Sequence, residues 1–392
     1  MSSRSAETQP VVLAAADWIE IRRHLHRYPE LSGEEYETTA YLKAVLEKIG
    51  VRVADYGLKT GLVAEIGGGE GPIVALRADI DALPIEEETG LPFASEHPGR
   101  MHACGHDFHA AALIGAAQSL KLRESGLPGT VRLLFQPAEE RAKGAKQLIE
   151  AGALEGVGAV IGQHNKPDLP VGTIGITPGP IMAASDGFTV TVRGTATHAA
   201  VPESGIDPIV AAAQIVTALQ TIPSRSIGAQ ERVVVSVTQI HAGNTWNVIP
   251  DTAVLSGTIR TFDETLHARV RERAEEIAAG VAAAYGAEAS VRWSGGPPPV
   301  VNDAELTRLA EQSAAALGLT ARGGVTSPAS EDFSFYQRHV PGVFLFVGTS
   351  GSREWHHPAF ELDEAALPDA AALLADLAER TLYRLAEPNT ST

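Results

Sequence analysis

A single cysteine, Cys104, occurs among 392 residues. That excludes an internal disulfide and points to a reducing, cytoplasmic home. Basic charge is also scarce: 31 Lys and Arg stand against 48 Asp and Glu, a formal net charge of −17. Nucleic acid is not an expected partner, because phosphate binding needs clustered cations; the surplus of carboxylates favours solubility and says little more. No apolar run approaches the roughly 18 residues of a membrane span. The first ten residues carry one Arg and one Glu, and the apolar run at 11–16 meets Asp17 too early to be the apolar region of a secretory signal. These absences leave an intracellular protein of globular composition, 44% hydrophobic and 20% charged, without polar low-complexity tracts.

The length suggests two domains. A helix is predicted over 17–27, with Trp18, Ile21 and Leu25 on one face. It breaks at Pro29 and is followed by a second helix over 34–49 that Gly50 can cap. His24 and His26 fall on different faces of the first helix and read as structural. Short apolar runs at 62–66, 73–76, 131–135 and 158–162 then alternate with helical patterns at 107–121 and 144–152, which is the α/β arrangement of a mostly parallel sheet covered by helices. Near Ser185 the texture changes. Strands at 188–193, 233–240, 253–260 and 287–293, with helices at 207–221 and 264–285, give the order β-α-β-β-α-β of a ferredoxin-like unit. The Gly-Gly-Pro-Pro-Pro run at 295–299 serves as a hinge back to a helix at 303–317, a strand at 343–347 and a last helix at 370–385. The expected organisation is a catalytic domain in two parts, 1–184 and 296–392, interrupted by an inserted domain, 185–295. Residues before Val11 and residues 390–392 are expected to be frayed.

The densest chemistry lies at 101–109, where His102, Cys104, His106, Asp107 and His109 fall within nine residues. Thiolate and imidazole bind borderline-soft divalent metals, and a Cys-Gly-His step places two such groups on a short flexible turn. Other metal-competent side chains follow strands: Asp79 and Asp81 after the one beginning at Ile73, Glu139 and Glu140 after the one at Val131, His164 after the one at Gly158. In open α/β sheets, sites form beyond the carboxyl ends of strands. A metal hydrolase needs one carboxylate to ligate and another to take a proton, and two consecutive Glu can divide those roles because neighbouring side chains diverge.

Five runs in order, Ala75 to Pro84, His102 to Asp107, Gln136 to Glu140, Asn247 to Asp251 and Ser330 to Phe333, resemble the metal-dependent amidohydrolases that include N-acyl-amino-acid deacylases, hippurate hydrolases and indole-acetyl-amino-acid hydrolases. The resemblance implies an α/β metallohydrolase domain of mostly parallel sheet, with an inserted ferredoxin-like α+β lid that also dimerises. It implies two divalent ions (Zn, Mn, Co or Ni) held by Cys104, His106, Glu140, His164 and a C-terminal histidine. Counting back from Pro358 and Phe360 selects His356 for the last, with His357 as the fallback. Glu139 takes the general-base position, and Asp81 orients ligands. From the inserted domain, His198 would steady the oxyanion, often from a partner subunit, while Asn247 and Arg260 would hold the substrate; a guanidinium fork suits a carboxylate.

Some positions depart from the family pattern. Thr195, Ala196 and Thr197 replace a Gly-rich stretch, Glu203 stands where His is common, Arg141 where Gly is usual, and Lys166 where an apolar residue is common. None removes a ligand; all bear on specificity. The expected reaction is hydrolysis of an N-acyl amino acid to an acid and an amino acid, by a cytoplasmic homodimer or homotetramer formed through the lid. The alternatives are a dipeptidase or N-carbamoyl-amino-acid hydrolase, an enzyme using Cys104 as nucleophile, and a non-catalytic metal-binding protein.

Overall fold

A computed structural model describes residues 11–387. The expected fraying before Val11 and at 390–392 lies outside these residues. The chain forms two compact units, one comprising Met1–Gly179, Val301–Val325 and Asp332–Thr392, the other Pro180–Val300 and Thr326–Glu331. The expected borders at 185 and 295 therefore sit inside the second unit, which also takes in a short return segment that carries no change of composition.

The first unit is built on an eight-stranded sheet. Its order is Arg52–Ala54, Leu62–Ile66, Thr130–Gln136, Ile73–Asp79, Val157–Lys166, Gly342–Gly348, Thr173–Gly175, Thr320–Arg322. The four central strands, Thr130–Gln136 to Gly342–Gly348, run parallel to one another, whereas Leu62–Ile66 joins them antiparallel on one side and Thr173–Gly175 antiparallel on the other. Each central strand is almost wholly buried, as a sheet covered on both faces requires. The helix His106–Lys121 is buried at every residue but Ser119 and Lys121. Its run of small side chains lets the C-terminal helix Leu367–Ala386 come close: a Cβ on Gly115 would lie 2.7 Å from Cβ of Ala371.

The strand expected at 158–162 runs from Val157 to Lys166. The polar letters Gln163, His164, Asn165 and Lys166 suggest a loop, but they pair in parallel with Leu345 to Gly348, so His164 lies within the strand and not beyond it. The first helix begins at Ala15 and the second covers Tyr36–Lys48.

The second unit has a four-stranded antiparallel sheet in the order Val233–Ala242, Thr252–Thr261, Ala184–Arg193, Glu288–Trp293, which is the ferredoxin-like order. Along Ala184–Arg193 burial alternates residue by residue, and the inward set, including Phe188, Val190 and Val192, packs with Leu255, Ile259, Ile215 and Val270. Two helices cover that face. Pro208–Leu219 starts on Pro208, with Asp207 accepting the N–H groups of Ile209 and Val210; Glu264–Ala284 starts with Asp263 accepting that of Leu266. The first stops two residues short of expectation, and a π turn over Ile222–Ser226 follows.

Among the described residues no helix is long and apolar enough to cross a membrane.

Candidate metal centre

Three parallel strands deliver the site to one edge of the first unit's sheet. Asp79 and Asp81 lie at the end of one, Glu139 and Glu140 just past its neighbour, and His164 near the end of the next. The turn holding Cys104 and His106 comes to the same edge. Gly105 between them is left-handed, with φ of 82°, and a Cβ there would sit 2.4 Å from Nδ2 of Asn165, so both conformation and space call for glycine.

The ring orientations of both buried histidines are fixed by their backbone partners. Nδ1 of His106 donates to the carbonyl of Asp81 at 2.9 Å, and Nδ1 of His164 to the carbonyl of Asn165 at 2.8 Å. Each ring is left with the Nε2 lone pair for a ligand. Nε2 of His164 lies 3.4 Å from Sγ of Cys104, while Nε2 of His106 is buried with no hydrogen-bond partner.

Ala138 takes a left-handed conformation, φ 52°, and starts a single 3-10 turn over Glu139–Arg141. Asp81 secures that turn: its carboxylate accepts the N–H of Glu139 at 3.1 Å, the N–H of Glu140 at 3.2 Å and the hydroxyl of Ser32 at 2.6 Å. The two glutamates then part. Oε1 of Glu140 lies 3.9 Å from Nε2 of His106 and 3.3 Å from Nε2 of His356, whereas Oε1 of Glu139 accepts the N–H of Asp332 at 3.3 Å.

His356 is also left-handed, φ 65°, and its N–H donates to the carbonyl of Ala103 at 2.8 Å. His357 instead turns back on its own loop, where Nδ1 accepts the N–H of Ala359 at 2.9 Å. Of four described non-glycine residues with positive φ, Ala138, Ala142 and His356 border this site. Strained backbone of this kind persists where the surroundings fix the geometry.

Among the described residues, three of the sets whose ligand atoms lie within 4.8 Å of one another overlap around the candidate ligands: Cys104, His106 and His164; Cys104, Glu140 and His356; His106, Glu139 and Glu140; a further set joins His106 to Asp79 and His109. Cys104 and Glu140 each belong to two sets and His106 to three, an overlap that fits two adjacent cations. The electrostatics agree. Burial alone would discharge His106, but Asp79, Asp81 and Glu140 outweigh it and push its pKa up to about 10. Carboxylates thus demand positive charge at this point. A thiolate, three imidazoles and a carboxylate fit divalent ions of borderline softness.

Of the other groups of the 101–109 cluster, His102 and Asp107 face elsewhere, while the His109 ring stands beside those of His106 and His164. His102 is buried with neither ring nitrogen hydrogen-bonded, and burial pushes its pKa down to about 4. Oδ2 of Asp107 bonds Nε of Arg22 and Nδ1 of His26, both at 2.9 Å. Nδ1 of His109 lies 2.6 Å from Oδ1 of Asp79. Asp79, one of the metal-competent carboxylates of the sequence reading, spends its other oxygen on Nη1 of Arg77 at 2.6 Å.

Asp332 had no expected role. Its carboxylate accepts from Nη2 of Arg77 and Nε2 of Gln136, both at 2.8 Å, and from the N–H of Ala145 at 3.1 Å, which places its own N–H on Glu139. Burial raises its pKa to about 6, with Arg77 opposing. The acidic pair Glu331-Asp332 carries no periodicity by which this could be foreseen.

In the second unit, His198 and Asn247 share a two-stranded ribbon, Thr197–His198 against Val248–Ile249, where His198 pairs with Val248 and the carbonyl of Asn247 accepts the N–H of Ala199 at 3.0 Å. His198 is exposed, and its Nδ1 accepts the N–H of Ala200. Arg260 stands on another strand, half-buried, with Nη1 donating to the carbonyl of Pro328 at 3.2 Å; burial lowers its pKa. Arg141 and Glu203 are exposed.

Known proteins share this architecture. The chain is 51% identical over 379 residues to an N-acetyl-L-cysteine deacetylase of Bacillus subtilis, covering 96% of this chain and 91% of the relative. It is 40% identical over 381 residues to the IAA-amino acid hydrolase ILR1-like 4 of Arabidopsis thaliana, covering 94% and 87%. A crystal structure of the Bacillus subtilis YXEP protein, described as a dinuclear metal binding peptidase from the M20 family, superposes with a TM-score of 0.86 at 48% identity, covering 94% of this chain and 98% of that one. The model of peptidase family M20/M25/M40 matches residues 75–380, and the chain belongs to that family, as a metal-dependent amidohydrolase that binds two divalent ions.

Proposed function

We propose that the enzyme hydrolyses N-acyl amino acids, releasing a carboxylic acid and a free amino acid. Cys104, His106, Glu140, His164 and His356 hold the two ions. Bound there, these supply Lewis-acid charge for polarising an amide carbonyl and acidifying water. The thiolate of Cys104 favours zinc, cobalt or nickel, with manganese the harder alternative.

Glu139 is the general base. The observation that carries this reading is the parting of two consecutive carboxylates: Glu140 faces His106 and His356, while Glu139 is held by the Asp332 N–H. Glu139 takes a proton from the attacking water and passes it to the departing amine nitrogen. Asp81 fixes the turn that makes the two side chains diverge. His198 steadies the developing oxyanion, and Asn247 and Arg260 hold the substrate, with the guanidinium on its carboxylate. The second unit acts as lid and as the surface through which a homodimer or homotetramer forms, in the cytoplasm.

Small acyl groups are the first choice, since relatives at 51% identity are named as deacetylases of N-acetylcysteine. The test is a panel of acetyl, benzoyl, indole-acetyl and long-chain acyl amino acids, with zinc or manganese added. Turnover of at least one, abolished by a chelator and restored by metal, is expected. Turnover restricted to dipeptides or N-carbamoyl amino acids overturns the substrate class. Activity that survives the chelator but not thiol alkylation makes Cys104 a nucleophile instead.

A further inference from the structure

Asn165 is fully buried, and every polar group it owns faces the segments that carry the metal ligands. Its Nδ2 donates to the carbonyl of Cys104 at 2.6 Å. Its Oδ1 accepts the indole N–H of Trp355 at 3.1 Å. Its backbone N–H donates to Nε2 of His109 at 2.9 Å, and its carbonyl accepts Nδ1 of His164 at 2.8 Å.

The amide can sit in only one orientation. A carbonyl oxygen can only accept and an indole N–H can only donate, so the NH2 end must face Cys104 and the oxygen must face Trp355. His109 is fixed in turn. Its Nδ1 is engaged by Asp79 at 2.6 Å, so Nε2 is the acceptor. The environment is shaped for this side chain, because any Cβ at position 105 would lie 2.4 Å from Nδ2. Trp355 is held from more than one side: its ring centroid is 4.5 Å from that of His164, and Nζ of Lys166 lies 5.0 Å over the ring. The residue after Trp355 is His356.

We infer that Asn165 is a positioning residue of the metal centre, tying the Cys104 turn, the His164 strand end and the His356 loop to one buried side chain. The inference rests on the reading of Cys104, His164 and His356 as ligands. Three segments far apart in the chain, around residues 104, 164 and 356, meet through this one amide. Lys166, one of the departures from the family pattern, enters here as the cation that presses Trp355 into place.

The test uses the full chain loaded with cobalt(II), which reports a thiolate ligand as a near-ultraviolet absorption band. Wild type is expected to bind two equivalents and to show the band. Asn165→Asp keeps the shape and the acceptor for Trp355, but sets a carboxylate oxygen against the carbonyl of Cys104. It is expected to lose about 10–100-fold in cobalt affinity by chelator competition, the scale typical of groups that orient ligands, with a weakened or shifted band. Trp355→Phe, which retains a ring against His164 without the N–H, is expected to lose several-fold. The metal-free Trp355→Phe protein should melt within about 3 °C of wild type, whereas Asn165→Asp, with a buried carboxylate against a carbonyl, should melt lower and is compared below its own melting temperature.

Unchanged affinity and band in Asn165→Asp overturn the inference. If that variant does not fold, unchanged values in Trp355→Phe do so. In Trp355→Phe, loss of affinity accompanied by a fall of more than about 3 °C in the metal-free melting temperature also overturns it, in favour of a purely structural role. A wild-type cobalt protein with no thiolate band instead overturns the assignment of Cys104 as a ligand.

Discussion

The carboxylate of Asp81 accepts the backbone N–H of Glu139 at 3.1 Å and, with its other oxygen, that of Glu140 at 3.2 Å. One buried acid thus fixes the start of a turn whose first two side chains meet different partners. Ala138, left-handed at φ 52°, sets the entry to that turn. The proposed base, Glu139, and the proposed ligand, Glu140, are separated here by backbone geometry, not by distance along the chain.

Glu139→Gln should therefore keep both ions and lose about 10²–10⁴-fold in kcat, the usual weight of a general base. Metal content and initial rates on an N-acetyl amino acid check this together. A variant within tenfold of wild type sinks the assignment of the base.

His356 and His357 separate cleanly by partner. Nε2 of His356 lies 3.3 Å from Oε1 of Glu140, whereas Nδ1 of His357 accepts the N–H of Ala359. His356→Ala should lose about one of the two ions after dialysis, since removing a protein ligand leaves a site short of its usual set. His357→Ala should retain both. The reverse result makes His357 the ligand.

His198 is exposed on its ribbon and belongs to none of the convergent sets of metal-competent groups. His198→Ala should lower kcat by about 10²–10³-fold, the scale of one lost oxyanion donor, with metal content and melting temperature unchanged. Loss of metal would instead make it a ligand.

In the second unit, Asp186 carries a pH dependence of its own. Its Oδ2 lies 3.1 Å from both Nε2 of His267 and Nη1 of Arg271, and its Oδ1 accepts the N–H of Gly296 at 2.7 Å. Burial alone would raise its pKa, but His267, Gly296 and Arg271 outweigh it and hold it below the ordinary carboxylate value. A depressed carboxyl contributes stability above its unfolded pKa and loses it as pH falls through the folded one. Asp186→Asn should cost about 1 kcal/mol at pH 7, near the low end for such bonds because Arg271 is partly in solvent. The gap should narrow as pH drops below about 4. Urea unfolding at several pH values checks it; a gap that widens in acid contradicts the sign.

Much of the site was legible because its chemistry is written in residue types that are costly to place by chance. A cysteine one residue from a histidine, two adjacent glutamates after a strand, and a histidine near the end of another strand each stand out. Their supports do not. Asn165 and Asp332 are ordinary polar letters, and nothing local shows that one meets Cys104 or that the other meets Arg77 across 255 positions. The strand Val157–Lys166 outruns its apolar stretch at 158–162 for the same reason. Polar residues at its end suggest exposure, but their partners come from Gly342–Gly348.

The sequence by itself determined the α/β and ferredoxin-like patterns, because hydrophobic periodicity and turn residues act locally. It also determined the metal chemistry, because thiolate, imidazole and carboxylate carry their preferences with them. The family resemblance singles out Cys104 and His106 from the 101–109 cluster; only the tertiary structure decided what the other three members touch. His109 stands against Asp79 beside His106, while Asp107 turns to Arg22 and His26, and His102 is buried without a hydrogen bond. That choice depends on where Gly105 bends the chain and on which distant groups, Asp81, Asn165 and Asp79, compete for each ring and carbonyl. Such competition is settled by packing in three dimensions and leaves no period in the sequence.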